Sequence, residues 1–367
     1  MTVGPTRGGA EGRNDLPSAA VLHEILRAGI QAPSAENQHY FRFERTADGV
    51  TLVSTDVPTW QPQPHRRMLA LLSYGAVAEN MALRSAARGF HQHTRWWPSP
   101  ARPEAIAEFR WSPAPPAGDA LEAAIERRHT NRRFYRRIAV PADTLQHIAA
   151  AAGAVQGARL LWLDDPSARS IALRTIRLAE TERFRREGLH RELFKAIRFD
   201  VGWQRTVEEG LPPGALEVER PMRALFAAMA KWPRMRAASL LGLHRSFGLR
   251  AGYLPCAGAP HLGLVLCDAP QPECRPLLAG RALQRAWLAA TANGLAFQPM
   301  AAAVALARQR AGSEWVSPAV QARLREGLAR LAGGDAENAW MLLRIGLAEE
   351  ATVRTARPPL EHFFVAS

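Results

Sequence analysis

The stretch Arg127-Arg128-His129-Thr130-Asn131-Arg132-Arg133-Phe134-Tyr135 places four arginines in nine positions. Guanidinium groups held this close repel one another unless an anion or water separates them. The planar guanidinium fork matches phosphate oxygens two at a time, and Thr130 adds a hydroxyl. Two readings are open at this point: capture of a phosphate or similar anion, or a charge run on a solvated face. A second stretch, APSAENQ at Ala32–Gln38, lies far upstream, where Pro33 ends the first helical pattern.

Other residues that could do chemistry make weaker patterns. His91 and His93 share a strand face, as a metal pair would, but no third ligand is near, so surface histidines and no metal site are expected. The carboxylates Glu180 to Glu192 stand at helical spacings from arginines and read as surface pairs worth a few tenths of a kcal/mol each, with a catalytic carboxylate as the alternative. No side chain is singled out as a catalytic acid or base.

The chain of 367 residues is 47% apolar and 22% charged, a globular composition. Its formal charge is +13, and every basic side chain except Lys195 and Lys231 is arginine. Such a surface attracts nucleic acid, anionic lipid or anionic small molecules. Aromatics do not interleave with the arginines as a stacking platform requires, so nucleic acid is not expected as a partner. Cys256, Cys267 and Cys274 have no metal or redox spacing, and a reducing cytoplasm is the expected location. The polar, glycine-rich residues 1–18 read as a disordered tail. No run reaches the roughly 18 apolar residues of a membrane span, so no integral membrane association is expected.

Periodicity predicts the elements that must position the arginines. A helix is expected over Ala19–Gln31, then paired strands in YFRFER and Gly49–Asp56, then a long helix in SYGAVAENMALRSAARGF. Proline-rich segments around a short strand mark a linker ending near Asp119. Helices follow in ALEAAIERR and ADTLQHIAAAAGAV, with a long arginine-rich helical region over 166–255. His261–Asp268 reads as a buried strand, LLAGRALQRAWLAATANGL as a helix stopping at Gly294, and Asn338–Ala348 as the last strand. The two long helices align with one another: Gly75 with Gly280, Leu83 with Leu288, Ala87 with Ala292 and Gly89 with Gly294. That repeat predicts two fused halves, 19–115 and 120–367, the second carrying the insertion.

Four short motifs together resemble the nitroreductase family of flavin enzymes. Arg128-His129-Thr130-Asn131-Arg132-Arg133-Phe134 is similar to that family's R-x-S/T-x-R/K-x-F segment, and APSAENQ to its A-P-S-x-x-N segment. NGLAFQPMAA is similar to its G-L-x-x-x-P loop, and the closing IGLAEEATVRTARPPL to its I-G segment followed by R-x-P-L. The first half has only A-P-S-x-x-N and the second only the arginine motif, so the halves complete one site between them. The closer resemblance is to the fused, two-half members.

The resemblance implies an α+β fold: two nitroreductase-like halves forming a pseudo-dimer, each a mostly antiparallel sheet flanked by helices. It implies an oxidoreductase with one FMN per chain, NAD(P)H as a candidate electron donor and a small-molecule substrate. Arg128, Thr130 and Arg357 would hold the phosphate or ribityl chain, and Arg132 would face the N1–C2 pole of the ring. Ser34, Ala35 and Asn37 would approach from the other half. Pro299, Met300 and Ala301 would run along the ring, with the Ala301 N–H donating to N5. The family's frequent acidic residue is absent at Ala301, and His39-Tyr40-Phe41 replaces the usual Q-P-W. The chain would be a monomeric pseudo-dimer or would dimerise further.

Two rivals remain from the sequence: a non-catalytic flavin-sequestering protein, and a basic membrane-surface or nucleic-acid-binding protein without cofactor. For Arg220–Gly252, which has basic and large apolar residues but no acidic one, the expected structure is a core-facing amphipathic helix pair. The alternatives are a lid over the site or a membrane-contacting segment.

Overall fold

The computed structural model describes residues 16–312 and 314–365, so most of the expected tail lies outside the described residues. The architecture is α+β, with two antiparallel four-stranded sheets. The first contains β1 (Phe41–Thr46), β2 (Gly49–Ser54), β3 (Phe90–Trp96) and β4 (Ala105–Pro113), in the order β1-β2-β4-β3. The second contains β5 (Ala158–Trp162), β6 (His261–Cys267), β7 (Ala296–Met300) and β8 (Ala339–Gly346), in the order β5-β6-β8-β7. Both sheets thus carry one topology, and the central pair of each slips register once, between Leu52 and Val53 and between Val265 and Leu266.

The helices repeat in the same way. Helix Ala19–Ile30 precedes β1, and helix Ala142–Gly153 precedes β5. The long helices Pro64–Ala87 and Arg275–Ala292 sit between the second and third strands of their sheets. Each ends in a turn at a left-handed glycine, Gly89 at φ 79° and Gly294 at φ 69°, a conformation glycine adopts without steric penalty.

The long helices cross where the expected pairs predicted a repeat. A Cβ on Gly75 would lie 1.9 Å from the Leu277 carbonyl oxygen, and one on Gly280 would lie 2.1 Å from that of Leu72. Only glycine allows the backbones to approach so closely. Around the crossing, the Asn80 amide donates to the Ala28 carbonyl at 3.0 Å, and the Arg285 Nε donates to that of Ala151 at 2.9 Å. Each long helix therefore ties down its own half's first helix. The cores interlock here too: Leu277 packs into the first half's apolar cluster, while Met68 and Leu72 pack into the second's.

Several sequence expectations differ from the structure. ALEAAIERR forms only a 3-10 turn at Glu122–Ala124. The chain beyond it is pinned by non-helical contacts, with the Asn131 N–H donating to Phe297 and the Arg128 side chain to Gln31. AFQPM is the strand β7, not read from the sequence; Pro299 is tolerated because β7 is an edge. Helix Pro318–Ala332 was also not expected.

The Arg220–Gly252 segment is not a helix pair but a chain of short helices, Arg223–Ala228, Trp232–Leu240 and Leu243–Gly248, running into a π-turn. Pro233 begins the second, and left-handed Gly242 separates it from the third. With helices Pro166–Arg185 and Glu187–Lys195, these build a separate apolar cluster around Phe184, Phe194, Met229 and Met235. Leu240 and Leu241 at its tip are exposed.

Candidate functional site

The arginine stretch splits into two kinds of residue. Arg127 is exposed at the rim of the smaller cavity, and Arg133 is half-buried and neutralised by Glu349 at 2.8 Å. Arg128 and Arg132 turn inward. Arg128 is buried beneath the Trp287 ring, 4.5 Å from its centroid, and donates to the Gln31 carbonyl at 2.8 Å. Its Nε is buried with no hydrogen-bond partner among the described residues. Arg132 donates to the Ala215 carbonyl at 3.2 Å. Asn131 fixes the loop between them through its amide to Glu349 O, and Arg344, fully buried in β8, donates to the Arg133 carbonyl at 2.8 Å.

The APSAENQ loop meets these arginines from the other half. Glu36 and Asn37 both sit at φ 56°, a left-handed conformation that side-chain-bearing residues adopt at a cost. Contacts to distant segments hold the loop there. The Asn37 amide donates to the Glu208 carbonyl at 2.9 Å. Arg357 bonds the carbonyls of Ile30 and Ala32 and the Asn37 side-chain oxygen. Arg357 therefore both organises this loop and brings a charge beside Arg128.

Two adjoining cavities result. One, of about 120 Å³, is lined by Ser34, Asn37, Arg128, Thr130, Arg132 and Arg357. The other, of about 270 Å³, is lined by Ser34, Ala35, Thr130, Arg132, Trp287 and the Pro299–Ala301 turn, among others. Every residue nominated from the sequence lies on one cavity or both. The Ala301 N–H, at the start of helix Ala302–Arg308, has no partner among the described residues.

The electrostatics favour an anion. Among the described residues Arg128, Arg132 and Arg357 have no carboxylate within ion-pair distance. Burial pushes Arg128 down to about 9, helped by the Arg357 charge. It pushes Arg132 down to about 10, helped by Arg183, and Arg357 likewise to about 10. Buried charge without a partner is costly, so these groups lower the free energy of any phosphate that neutralises them.

Three contributors have no role in the sequence reading: Gln298 on β7, Trp287 on the second long helix and Arg183 on helix Pro166–Arg185. Glu180, expected in a surface pair, is buried instead and pairs with Arg183 at 3.2 Å at the cavity wall, because its helix packs against the cleft. Glu36 has no role in the motif resemblance. Its carboxyl faces both cavities, 4.0 Å from Arg183, and burial raises it to about 7 against the Arg183 attraction. Its folded-state value lies above the ordinary one, so folded protein binds the extra proton at low pH and loses that advantage as pH rises towards 7. Thermal unfolding from pH 5 to 8 should show the wild-type Tm falling relative to Glu36→Gln; parallel curves would disprove the burial.

His91 and His93 lie side by side on β3, ring centroids 4.6 Å apart. No cluster of three or more metal-ligating side chains occurs among the described residues. No helix among them is long and apolar enough to cross a membrane.

No known protein-family profile matches the chain. Over 149 residues it is 29% identical to proteins named as NAD(P)H nitroreductases in two Mycobacterium tuberculosis strains, a match covering 40% of this chain. The match spans 43% of the length of those relatives. Among solved structures, it is similar to the FMN-dependent nitroreductase NfnB of Mycobacterium smegmatis in complex with NADPH. That likeness has 19% identity and a TM-score of 0.36, covering 68% of this chain and 98% of the other. It is also similar to a nitroreductase with bound FMN from Desulfitobacterium hafniense, at 13% identity and a TM-score of 0.34, covering 68% of this chain and all of the other. The family that the motifs and the curated relatives alike liken this chain to is that of the nitroreductases.

Proposed function

We propose that this chain is an FMN-dependent oxidoreductase of nitroreductase type, holding one FMN between halves 19–115 and 120–367. One observation carries the reading: Ser34, Ala35 and Asn37 from one half and Arg128, Thr130 and Arg132 from the other line two adjoining cavities whose guanidiniums, the buried Arg128 foremost, lack a counter-anion. The unpartnered Arg128 Nε and the Thr130 hydroxyl suit a phosphate. FMN, when bound, supplies the two-electron acceptor and donor that no side chain provides.

The chain's own residues position and bias that chemistry. Arg128 and Arg357 attract the phosphate, while the half-buried Arg132 favours any negative charge that develops beside it. The Ala301 N–H offers a donor at the wider cavity. Pro299–Ala301 and Trp287 give that cavity an apolar wall. The substrate is a small organic molecule, reduced or oxidised in exchange with the cofactor. Residues 166–255 are an insertion in the second half that closes one side of the cleft.

Purified protein should be yellow, bleach on addition of NADPH or NADH, and regain colour with menadione or a nitroarene. Colourless protein that takes up no FMN on reconstitution would reject the proposal. The flavin-sequestering alternative is favoured by one feature: Arg132 is tied to Ala215 of the insertion, which crosses the cleft. It predicts protein that is yellow and reducible by dithionite but inert to nicotinamides and organic acceptors.

A further inference from the structure

The insertion encloses a second chamber of about 350 Å³, at the lower end of the range that holds small organic ligands. Phe184, Phe226 and Phe247 wall it, with the Phe184 and Phe247 rings edge to face at 5.2 Å and Phe226 6.0 Å from Phe247. Leu193, Ile197 and Met222 contribute further apolar surface. The ionic groups around it largely cancel: Glu180 pairs with Arg183 at 3.2 Å, and Arg250 with Glu219 at 2.6 Å. The π-turn at Leu249–Tyr253 carries both Arg250 and Ala251 to the chamber wall, and such turns recur at functional sites.

The chamber adjoins the cleft. Arg132, Glu180, Arg183, Leu193, Leu216 and Gln298 line both. The neck where the two meet therefore carries four polar side chains, while the far end is aromatic and aliphatic.

We propose that this chamber is the substrate site, and that it takes an uncharged molecule of one or two rings, with its apolar body among the phenylalanines and its polar, reacting end at the neck beside Arg132 and Gln298. The assignment of the reacting end rests on the cofactor reading above; the apolar chamber itself does not. An apolar ring entering it leaves water and gains dispersion contacts with three aromatic side chains. A ligand with charge on the ring seated among the phenylalanines would lose hydration there, since Arg183 and Arg250 are already paired with Glu180 and Glu219 and only Arg132, at the neck, is unneutralised.

The test is a fluorescence titration of the purified full-length chain with two probes. N-phenyl-1-naphthylamine is neutral, and its sulfonated relative 1-anilinonaphthalene-8-sulfonate is anionic. The neutral probe should bind with one-to-one stoichiometry and tighter than the anionic one. Phe226→Asp should weaken it at least tenfold, and so should Met222→Trp, which adds bulk at a partly exposed wall position and guards against misfolding of the first variant. The visible absorbance of both variants should match that of the wild type. Probe binding that neither substitution alters, or binding of the sulfonated probe that both substitutions weaken and that is tighter than that of the neutral one, would overturn the proposal. Colourless protein that still binds the neutral probe in this pattern would sink the flavin reading and leave the chamber standing. Yellow protein that does not bind the probe would do the reverse.

Discussion

Arg128→Met is expected to separate binding from folding, with opposite signs. FMN affinity should fall about 10–100-fold, the loss of a charge-assisted phosphate contact worth about 1.5–3 kcal/mol. The Tm of the cofactor-free protein should not fall, and should rise by about 2 °C. The reason lies in the environment of Arg128. Its guanidinium is buried beside a second unpaired charge, Arg357, and makes one hydrogen bond to Gln31 and a stacking contact with Trp287. Removing an uncompensated buried charge relieves more free energy than those contacts return. A methionine of similar length keeps the space filled. Flavin fluorescence quenching measures the first quantity and a melt of reconstitutable apoprotein the second. A lower Tm with unchanged FMN affinity would make Arg128 a structural residue and remove the main support of the cofactor reading.

Arg357→Ala should behave differently. Its guanidinium satisfies the carbonyls of Ile30 and Ala32 and holds Asn37 in its left-handed conformation. Its loss leaves buried acceptors unpaired and frees the loop, so both Tm and FMN affinity should drop. The contrast tests the division of labour between two arginines that the motif resemblance treats as equivalent.

The other large effect concerns the seam. Gly75→Ala and Gly280→Ala each place a methyl group about 2 Å from a carbonyl oxygen of the opposing helix. The strain cannot be relieved by a rotamer change, because the obstacle is backbone. Each should cost about 3 kcal/mol or more, at the upper end of overpacking effects. Chemical denaturation would show it as a lower midpoint with little change in slope. Gly153→Ala, where the added methyl meets open space, is the matched control and should be neutral to stabilising by up to about 1 kcal/mol. If Gly75→Ala were as benign as the control, the close crossing would be wrong, and with it the way the halves are joined.

Much of the architecture is carried by local pattern. Alternation in YFRFER and the unbroken apolar run of HLGLVLC mark β1 and β6 because side-chain periodicity is a property of a few consecutive residues. The correspondence between Gly75 and Gly280 is legible because a backbone crossing demands glycine wherever it occurs twice. AFQPM escaped because a proline at its centre contradicts a strand unless the sheet position, an edge, is already known. ALEAAIERR misled because its helical composition competes with contacts made elsewhere. The burial of Glu180 and the phenylalanine chamber were illegible for a related reason: residues 166–255 match no motif, and what they pack against depends on the assembled fold.

What the sequence alone determined was the inventory: two related halves, one arginine motif, one complementary loop, and the residue types suited to a phosphate. What only the tertiary structure decided was which arginines turn inward and what each one touches. Arg128 reaches a carbonyl 97 residues away and Arg357 one 327 residues away, and neither distance leaves a trace in local periodicity. Burial and ion pairing are properties of the assembled neighbourhood, so the same four-arginine run yields one exposed side chain, one paired with Glu349 and two unneutralised ones.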